Sequence, residues 1–314
     1  MWKGTGMAEG RPPSPSDLTA VRKRLGRVGV WFMTTVAEIS AEEEQQGAAT
    51  IEELGYSTFW FGEGPDTRES FTHAAVLLSG TERLNVATGI ANIFGRDAIA
   101  AANGANTLAD AWPGRFTLGM GVSHAPLVNP RGHDYTRPVS TMRAYLDAMD
   151  ATKFGPPLPE APPRLLAALR RSMLELAASR AQGAHTYFVP PEHTRRAREI
   201  LGPEPLLVPE QAVVLDTDAD RARAAARDYA AFYLALPNYL NNLRELGFSD
   251  ADFKNGGSDA LIDAIVCHGD PDAITERVRA HHDAGADHVC VQPIARTFAE
   301  QVEHLRTLAP VLVG

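Results

Sequence analysis

Excess basic charge, a secretory signal, a membrane-length apolar run and a cysteine framework are all missing from this sequence, and each absence closes off a class of function. Lysine and arginine number 30 against 39 acidic residues, a formal net charge of −9. The basic residues are interspersed with acidic ones, so no electrostatic footprint for nucleic acid exists. No apolar stretch approaches the roughly 20 residues a bilayer span needs, which removes integral membrane proteins. The amino-terminal MWKGTGMAEGRPPSPSDLTA lacks the apolar centre of a signal peptide, so the cytoplasm is the expected compartment. Its glycine, proline and serine content reads as a disordered leader over residues 1–25, with one folded domain over 26–314. The two cysteines, Cys267 and Cys290, lie in apolar runs, as reduced buried thiols do. Zinc spacing is missing as well: His268, His281, His282 and His288 have no accompanying carboxylate array and read as structural.

What is present is a repeating joint. A helix-like segment, a glycine, a few small or polar residues and a short β-rich run recur as EELGYSTFWF (52–61), RAQGAHTYFV (180–189) and HDAGADHVCV (282–291). A glycine that can turn left-handed ends a helix, and the run behind it is too short to be anything but a strand. Filling in between predicts strands near 27–33, 58–62, 84–90, 115–121, 164–169, 184–189, 208–215 and 288–293. Most are continuously apolar, as parallel strands covered on both faces are. Helical patterns fill the intervals, with one long helix expected from about 218 to 246. Eight strands alternating with helices predict an α/β fold, a (β/α)8 TIM barrel with an inserted helical segment at about 217–270, before the last strand. The rival doubly wound sheet would need a GxGxxG turn after its first strand, and VWFMTTVAEIS has none. The proline-rich KFGPPLPEAPP (153–163) is expected to run outside as extended chain.

In a barrel the chemistry collects where strands end. Those ends carry Thr34 and Thr35, Glu63, Asn92, Ser123 with His124, Arg170 with Arg171 and Ser172, Tyr187, Asp216 and Gln292. Glu63 follows TFWF and reads either as a proton donor or as a solvated carboxylate. His124, in GMGVSHAPL, reads as a proton shuttle or as an ordinary loop histidine. Arg170, Arg171 and Ser172 open a helix, where free amides and two guanidinium groups suit a phosphate, or else simply face water. GMGVSH is only a weak phosphate loop; paired glycines there more often admit a close approach to the backbone.

The segment LNVATGIANIFGRDAIAAANGANTLADAWPGRFTLGMGVSHAP (84–126) resembles the bacterial luciferase-like flavin and deazaflavin barrels. GAHTYFVPPEHT, LPNYLNNLRELGF and AGADHVCVQ are similar to an actinobacterial subgroup of coenzyme F420-dependent oxidoreductases, and the resemblance runs from about residue 26 to 294. It implies a deazaflavin at the carboxyl face, in contact with Thr88, Gly89, Ile90, Asn92, Gly121, Ser123 and Tyr187, and a non-proline cis peptide within Thr88–Asn92. It also implies a phosphate at Arg170, Arg171 and Ser172. There the chain departs from its relatives, because Arg170 and Arg171 in ALRRSM stand where a glycine and a proline are usual. The implied activity is hydride transfer between F420 and a small organic substrate, with Glu63 or His124 handling the proton. Thr34, Phe61, Tyr135 and Tyr187 would line the substrate pocket, the insertion would form a lid, and the barrel would work as a homodimer. The alternatives are an FMN-dependent monooxygenase and a noncatalytic flavin-binding barrel.

Overall fold

The computed structural model describes residues 15–33, 39–158 and 160–314, with side chains from Leu18 onward. Eight parallel strands form the centre: β1 Val28–Phe32, β2 Thr58–Phe61, β3 Asn85–Thr88, β4 Phe116–Gly121, β5 Arg164–Ala167, β6 Gly183–Thr186, β7 Leu206–Val214 and β8 Val289–Pro293. Each pairs with the next, and β8 pairs with both β7 and β1, which closes the ring. Two-residue pieces at Ala91–Asn92 and Cys267–His268 pair in parallel beside the ends of β4 and β7. The fold is the expected (β/α)8 barrel.

Strand periodicity divides the core. In β1, Val28, Val30 and Phe32 face the helices while Trp31 points inward; in β2, Phe59 and Phe61 face out and Trp60 in. Phe61 therefore packs beneath the helices against His73, not in a substrate pocket as expected. The interior is aromatic: Trp60 stacks on His185 at 5.0 Å and donates its indole N–H to His288 Nε2 at 3.0 Å. Cys267 and Cys290 are buried and unpaired.

The amino-terminal helix corrects the expected leader. Residues 1–14 lie outside the described residues, but Pro15–Leu25 is a helix, α1, whose Leu18, Val21 and Leu25 are buried with the inward-facing strand residues. Its last carbonyls accept hydrogen bonds from Asn85 Nδ2 (to Arg24) and Thr58 Oγ1 (to Leu25), side chains that begin β3 and β2. Helix α1 thus closes the amino end of the barrel.

Two local readings also change. Gly55 and Gly285 take the left-handed conformation expected after a helix, but Gly183 does not. It opens β6, where a Cβ would collide with the Leu206 carbonyl, so it is glycine for close strand approach. The long helix expected over 218–246 is two, Ala219–Leu234 and Pro237–Glu245, because Pro237 cannot continue the first. With Asp259–Ile265 they form the inserted helical segment over the carboxyl end.

Buried histidines hold the folded layers together in their neutral form. His281 Nε2 donates to Gln211 Oε1 (2.9 Å) and its Nδ1 accepts from the Thr194 hydroxyl (2.8 Å), and His288 Nδ1 donates to the Gly26 carbonyl at 2.9 Å. Desolvation pushes His185, His193 and His288 down to about 4 and His281 to about 3. The unfolded chain protonates these rings near pH 6.5 and the folded one does not. Their stabilising contribution is therefore complete above about pH 6.5 and lost as pH falls toward 4. The melting temperature should drop steadily from pH 7 to 5, and His281→Gln should shallow that drop by one proton's worth. A melting temperature independent of pH over this range would contradict the assignment.

Candidate active site

A cavity of about 1210 Å³ opens at the carboxyl ends of the strands. Trp31, Gly89, Ile90 and His185 line it from the barrel, and the inserted helices line it with Tyr229, Tyr233 and Tyr239. Of the residues expected in the site, Glu63, Gly89, Ile90, Ser123, His124, Arg170, Arg171, Ser172 and Tyr187 line this one cavity, as does the expected pocket residue Tyr135. Thr88, Asn92 and Gly121 do not. Thr34 and Thr35 lie outside the described residues.

The exceptions have structural tasks. The Thr88 hydroxyl donates to the Gly119 carbonyl at 2.7 Å, tying β3 to β4. Asn92 is buried, and its Oδ1 accepts the Phe94 N–H at 3.0 Å, shaping the turn after β3. A Cβ on Gly121 would come within 2.6 Å of Ile90 Cδ1, so this glycine makes room for a neighbouring side chain. Gly89 lines the cavity, yet a Cβ there would overlap the Trp31 indole nitrogen. The Gly89–Ile90 peptide is cis, inside the expected stretch.

Glu63 is held rather than free. Both of its oxygens bond the Arg96 guanidinium, Oε2 also accepts the Asn92 N–H at 2.6 Å, and Oε1 accepts the Ser70 N–H at 3.3 Å. Arg96 further reaches Glu69 at 2.9 Å and lies over the Phe71 ring at 4.9 Å. With every lone pair engaged by a cation or an amide, this carboxylate is a clamp on the turn after β3. A proton-transfer role has no geometry to support it.

His124 is placed differently. Ser123 before it takes a left-handed backbone conformation, and its carbonyl accepts the Tyr135 hydroxyl at 3.0 Å. This turn aims the His124 ring at Tyr239, 5.2 Å away, with no hydrogen-bond partner for either nitrogen among the described residues. Desolvation pushes it down to about 4, so at neutral pH it is an uncharged ring able to donate one hydrogen bond and accept one.

Two further groups suit a flat polar ligand. Trp31 Nε1 and His185 Nε2 are buried with no hydrogen-bond partner among the described residues, and both residues line the cavity. Because His185 Nδ1 faces the Val208 carbonyl at 2.8 Å, that nitrogen carries the proton and Nε2 is a bare acceptor. At the mouth, Arg170 caps the helix Arg171–Arg180 without a side-chain cap bond; the Met173 N–H is taken by the Arg170 carbonyl at 3.1 Å, and the Arg171 and Ser172 amides have no partner among the described residues. Among the described residues Arg171 pairs with Glu175 alone, at 3.4 Å and exposed. An aromatic-walled cavity with an unpaired donor and acceptor inside and an anion seat at its mouth fits a flavin-type cofactor with a phosphate.

Trp31, His185 and the insertion's tyrosines were missed in the sequence because they sit inside apolar strands or on helices with no fixed register to the barrel. Glu210 was missed too, although a carboxylate within LLVPEQAVV is a visible anomaly.

The family model for luciferase-like monooxygenases matches residues 26–288. The chain belongs to the luciferase-like monooxygenase family. The 5,10-methylenetetrahydromethanopterin reductase of Methanolobus tindarius is 23% identical over 286 residues, covering 77% of this chain and 87% of that protein. An F420-dependent secondary alcohol dehydrogenase, solved with an F420-acetone adduct, superposes with TM-score 0.72 at 14% identity over 91% of this chain and 98% of its own. The EDTA monooxygenase of Chelativorans sp. BNC1 gives TM-score 0.72 at 13% identity over 92% and 93%. The solved structures establish a shared fold.

In this luciferase-like barrel the Glu63–Arg96 pair, each side chain 11% exposed, sets the shape of the cavity rim. Arg96→Ala leaves the Glu63 carboxylate nearly buried and unpaired and should cost about 3 kcal/mol. Asn92→Ala, which removes one neutral hydrogen bond, should cost about 1 kcal/mol. Urea unfolding of both variants checks the ranking; equal losses would remove the clamp from its central place.

Proposed function

We propose that this luciferase-like protein is an oxidoreductase that holds coenzyme F420 in the carboxyl-end cavity and acts on a small organic substrate. The observation that carries the reading is the pair of buried nitrogens, Trp31 Nε1 and His185 Nε2, with no partner among the described residues, in an aromatic cavity whose rim carries Arg170 and Arg171. Bound there, the deazaflavin would supply a hydride acceptor or donor at its central ring carbon. The protein's own residues do the rest. Trp31 and His185 offer a donor and an acceptor to the ring's polar edge. Arg170, Arg171 and the open amides of their helix hold the phosphate, with Ser172 beside them. Tyr229, Tyr233 and Tyr239, on the inserted helices, exclude water from above. His124, uncharged and unpaired, is placed to hydrogen-bond a substrate oxygen and fix its orientation.

The expected setting is the cytoplasm and the expected assembly a homodimer. An FMN-dependent monooxygenase is the second reading, favoured by the equal superposition of an F420-dependent dehydrogenase and a monooxygenase on this fold. Fluorescence titration with each cofactor separates them. F420 should bind, and Arg170→Ala with Arg171→Ala should weaken it at least about tenfold, the effect of losing one charge-assisted hydrogen bond of about 1.5 kcal/mol. Tight FMN binding without F420 binding would overturn the first reading, and binding of neither would overturn both.

A further inference from the structure

Tyr135, Tyr187, Tyr229, Tyr233 and Tyr239 all line the carboxyl-end cavity, and the hydroxyls of the first four are already engaged. Tyr135 donates to the Ser123 carbonyl at 3.0 Å, Tyr229 to Tyr187 at 3.1 Å and Tyr187 to Gln292 Oε1 at 2.8 Å, while Tyr233 lies 2.7 Å from the Tyr187 oxygen. Tyr239 differs. It is 7% exposed, and its ring is held against Tyr233 at 5.4 Å and Phe188 at 5.5 Å. Its hydroxyl has no hydrogen-bond partner among the described residues. Buried hydroxyls are normally bonded, so one that lines a cavity unpaired marks a place for a ligand atom.

His124 stands beside it, ring centroids 5.2 Å apart, and its nitrogens also have no partner among the described residues. The two arrive from different parts of the chain, His124 from the turn after β4 and Tyr239 from the inserted helix Pro237–Glu245. Burial pushes the Tyr239 phenol well above its ordinary value and the His124 imidazole down to about 4. Both side chains are therefore neutral at neutral pH, and each can donate one hydrogen bond. A ligand oxygen with two lone pairs can accept from both.

A second cavity, of about 400 Å³, opens beside this pair. His124 and Tyr135 line both cavities, and Ala125, Pro126, Pro130 and Pro237 give the smaller one apolar walls. Among the described residues its lining includes no Asp, Glu, Lys or Arg. An ion lodged there would lose hydration with no countercharge in return, whereas an apolar group gains by leaving water.

We propose that His124 and Tyr239 form a two-donor clamp on one oxygen of an uncharged substrate whose apolar end lodges in the side cavity. The proposal rests on the reading of the larger cavity as the site of a small organic substrate, and names the class of that substrate. Tyr239 can serve because its hydroxyl is uncommitted; the other four tyrosines would have to give up a bond. Two donors fix the distance and direction of the oxygen, and the apolar end fixes rotation about it. A hydrocarbon of the same shape would leave the Tyr239 hydroxyl buried without a partner. A carboxylate would bring its charge to two neutral donors.

Three probes of nearly equal shape test this on the full chain without turnover. Acetophenone carries one uncharged oxygen, α-methylstyrene has a methylene group in its place, and benzoate carries a charge. In titrations followed by nuclear magnetic resonance, acetophenone should bind at least about fivefold more tightly than either, the effect of one net hydrogen bond. Tyr239→Phe and His124→Phe, which keep a flat ring and remove its polar atoms, should each weaken acetophenone by about fivefold and leave α-methylstyrene unchanged. Each should also raise the carbonyl stretching frequency of bound acetophenone. Ala125→Phe, which fills the side cavity, should weaken acetophenone and α-methylstyrene together. The clamp is overturned by acetophenone binding that is indifferent to Tyr239→Phe, by benzoate binding as tightly as acetophenone, or by no acetophenone binding with or without cofactor. Equal acetophenone binding in Ala125→Phe overturns the side cavity's part. Fluorescence titration with F420 and FMN decides the functional reading separately. The probe pattern in a protein that takes neither cofactor keeps the clamp and removes that reading; cofactor binding with no probe preference does the reverse. Should His124→Phe or Ala125→Phe not fold, Tyr239→Phe, which removes a single oxygen, carries the test.

Discussion

Desolvation without a countercharge governs the interior of this barrel. Trp31, Trp60 and the surrounding aliphatic residues leave too little polar surface to stabilise an ion, so the groups buried among them are held neutral. His185 and His288 are kept uncharged and each spends one nitrogen on a backbone carbonyl. Glu210 is kept uncharged from the opposite side of the scale. The same constraint explains why the arginines and carboxylates of the site stand at its rim. There Glu63 and Arg96 neutralise each other, and Arg170 and Arg171 remain accessible to an anion. A dry interior and a charged rim follow from one rule about burial.

The architecture was legible because parallel strands covered on both faces must be apolar throughout. RVGVWFM, TFWFG and RFTLGMG could hardly have been anything else, and each strand lies within a few residues of its expected span. The clustering of Ser123, His124, Arg170, Arg171 and Tyr187 at one end was legible for the same reason, since strand ends share a face. Lateral detail was not. Whether Asn92 faces ligand or backbone depends on the rotation of a two-residue strand, and its amide serves the turn. Glu63 looked like a free acid because its partner, Arg96, lies 33 positions along the chain and on a different loop.

Glycine was the least legible residue type here. Bare backbone near a presumed ring invites the idea of stacking space, but the structure fills that space from within. Trp31 occupies the place of a Cβ at Gly89, and Ile90 that at Gly121. A glycine at a strand end reports that something comes close; only packing says whether it is ligand or protein.

The helix Pro15–Leu25 acts as a stopper. Leu18, Val21 and Leu25 fill the amino end of the barrel, opposite the cavity at the carboxyl face. Trimming the chain to the first strand, as its loop-like composition invites, would uncork the barrel and let water reach the Trp60–His288 bond from below. The stretch that reads as expendable is the floor of the molecule.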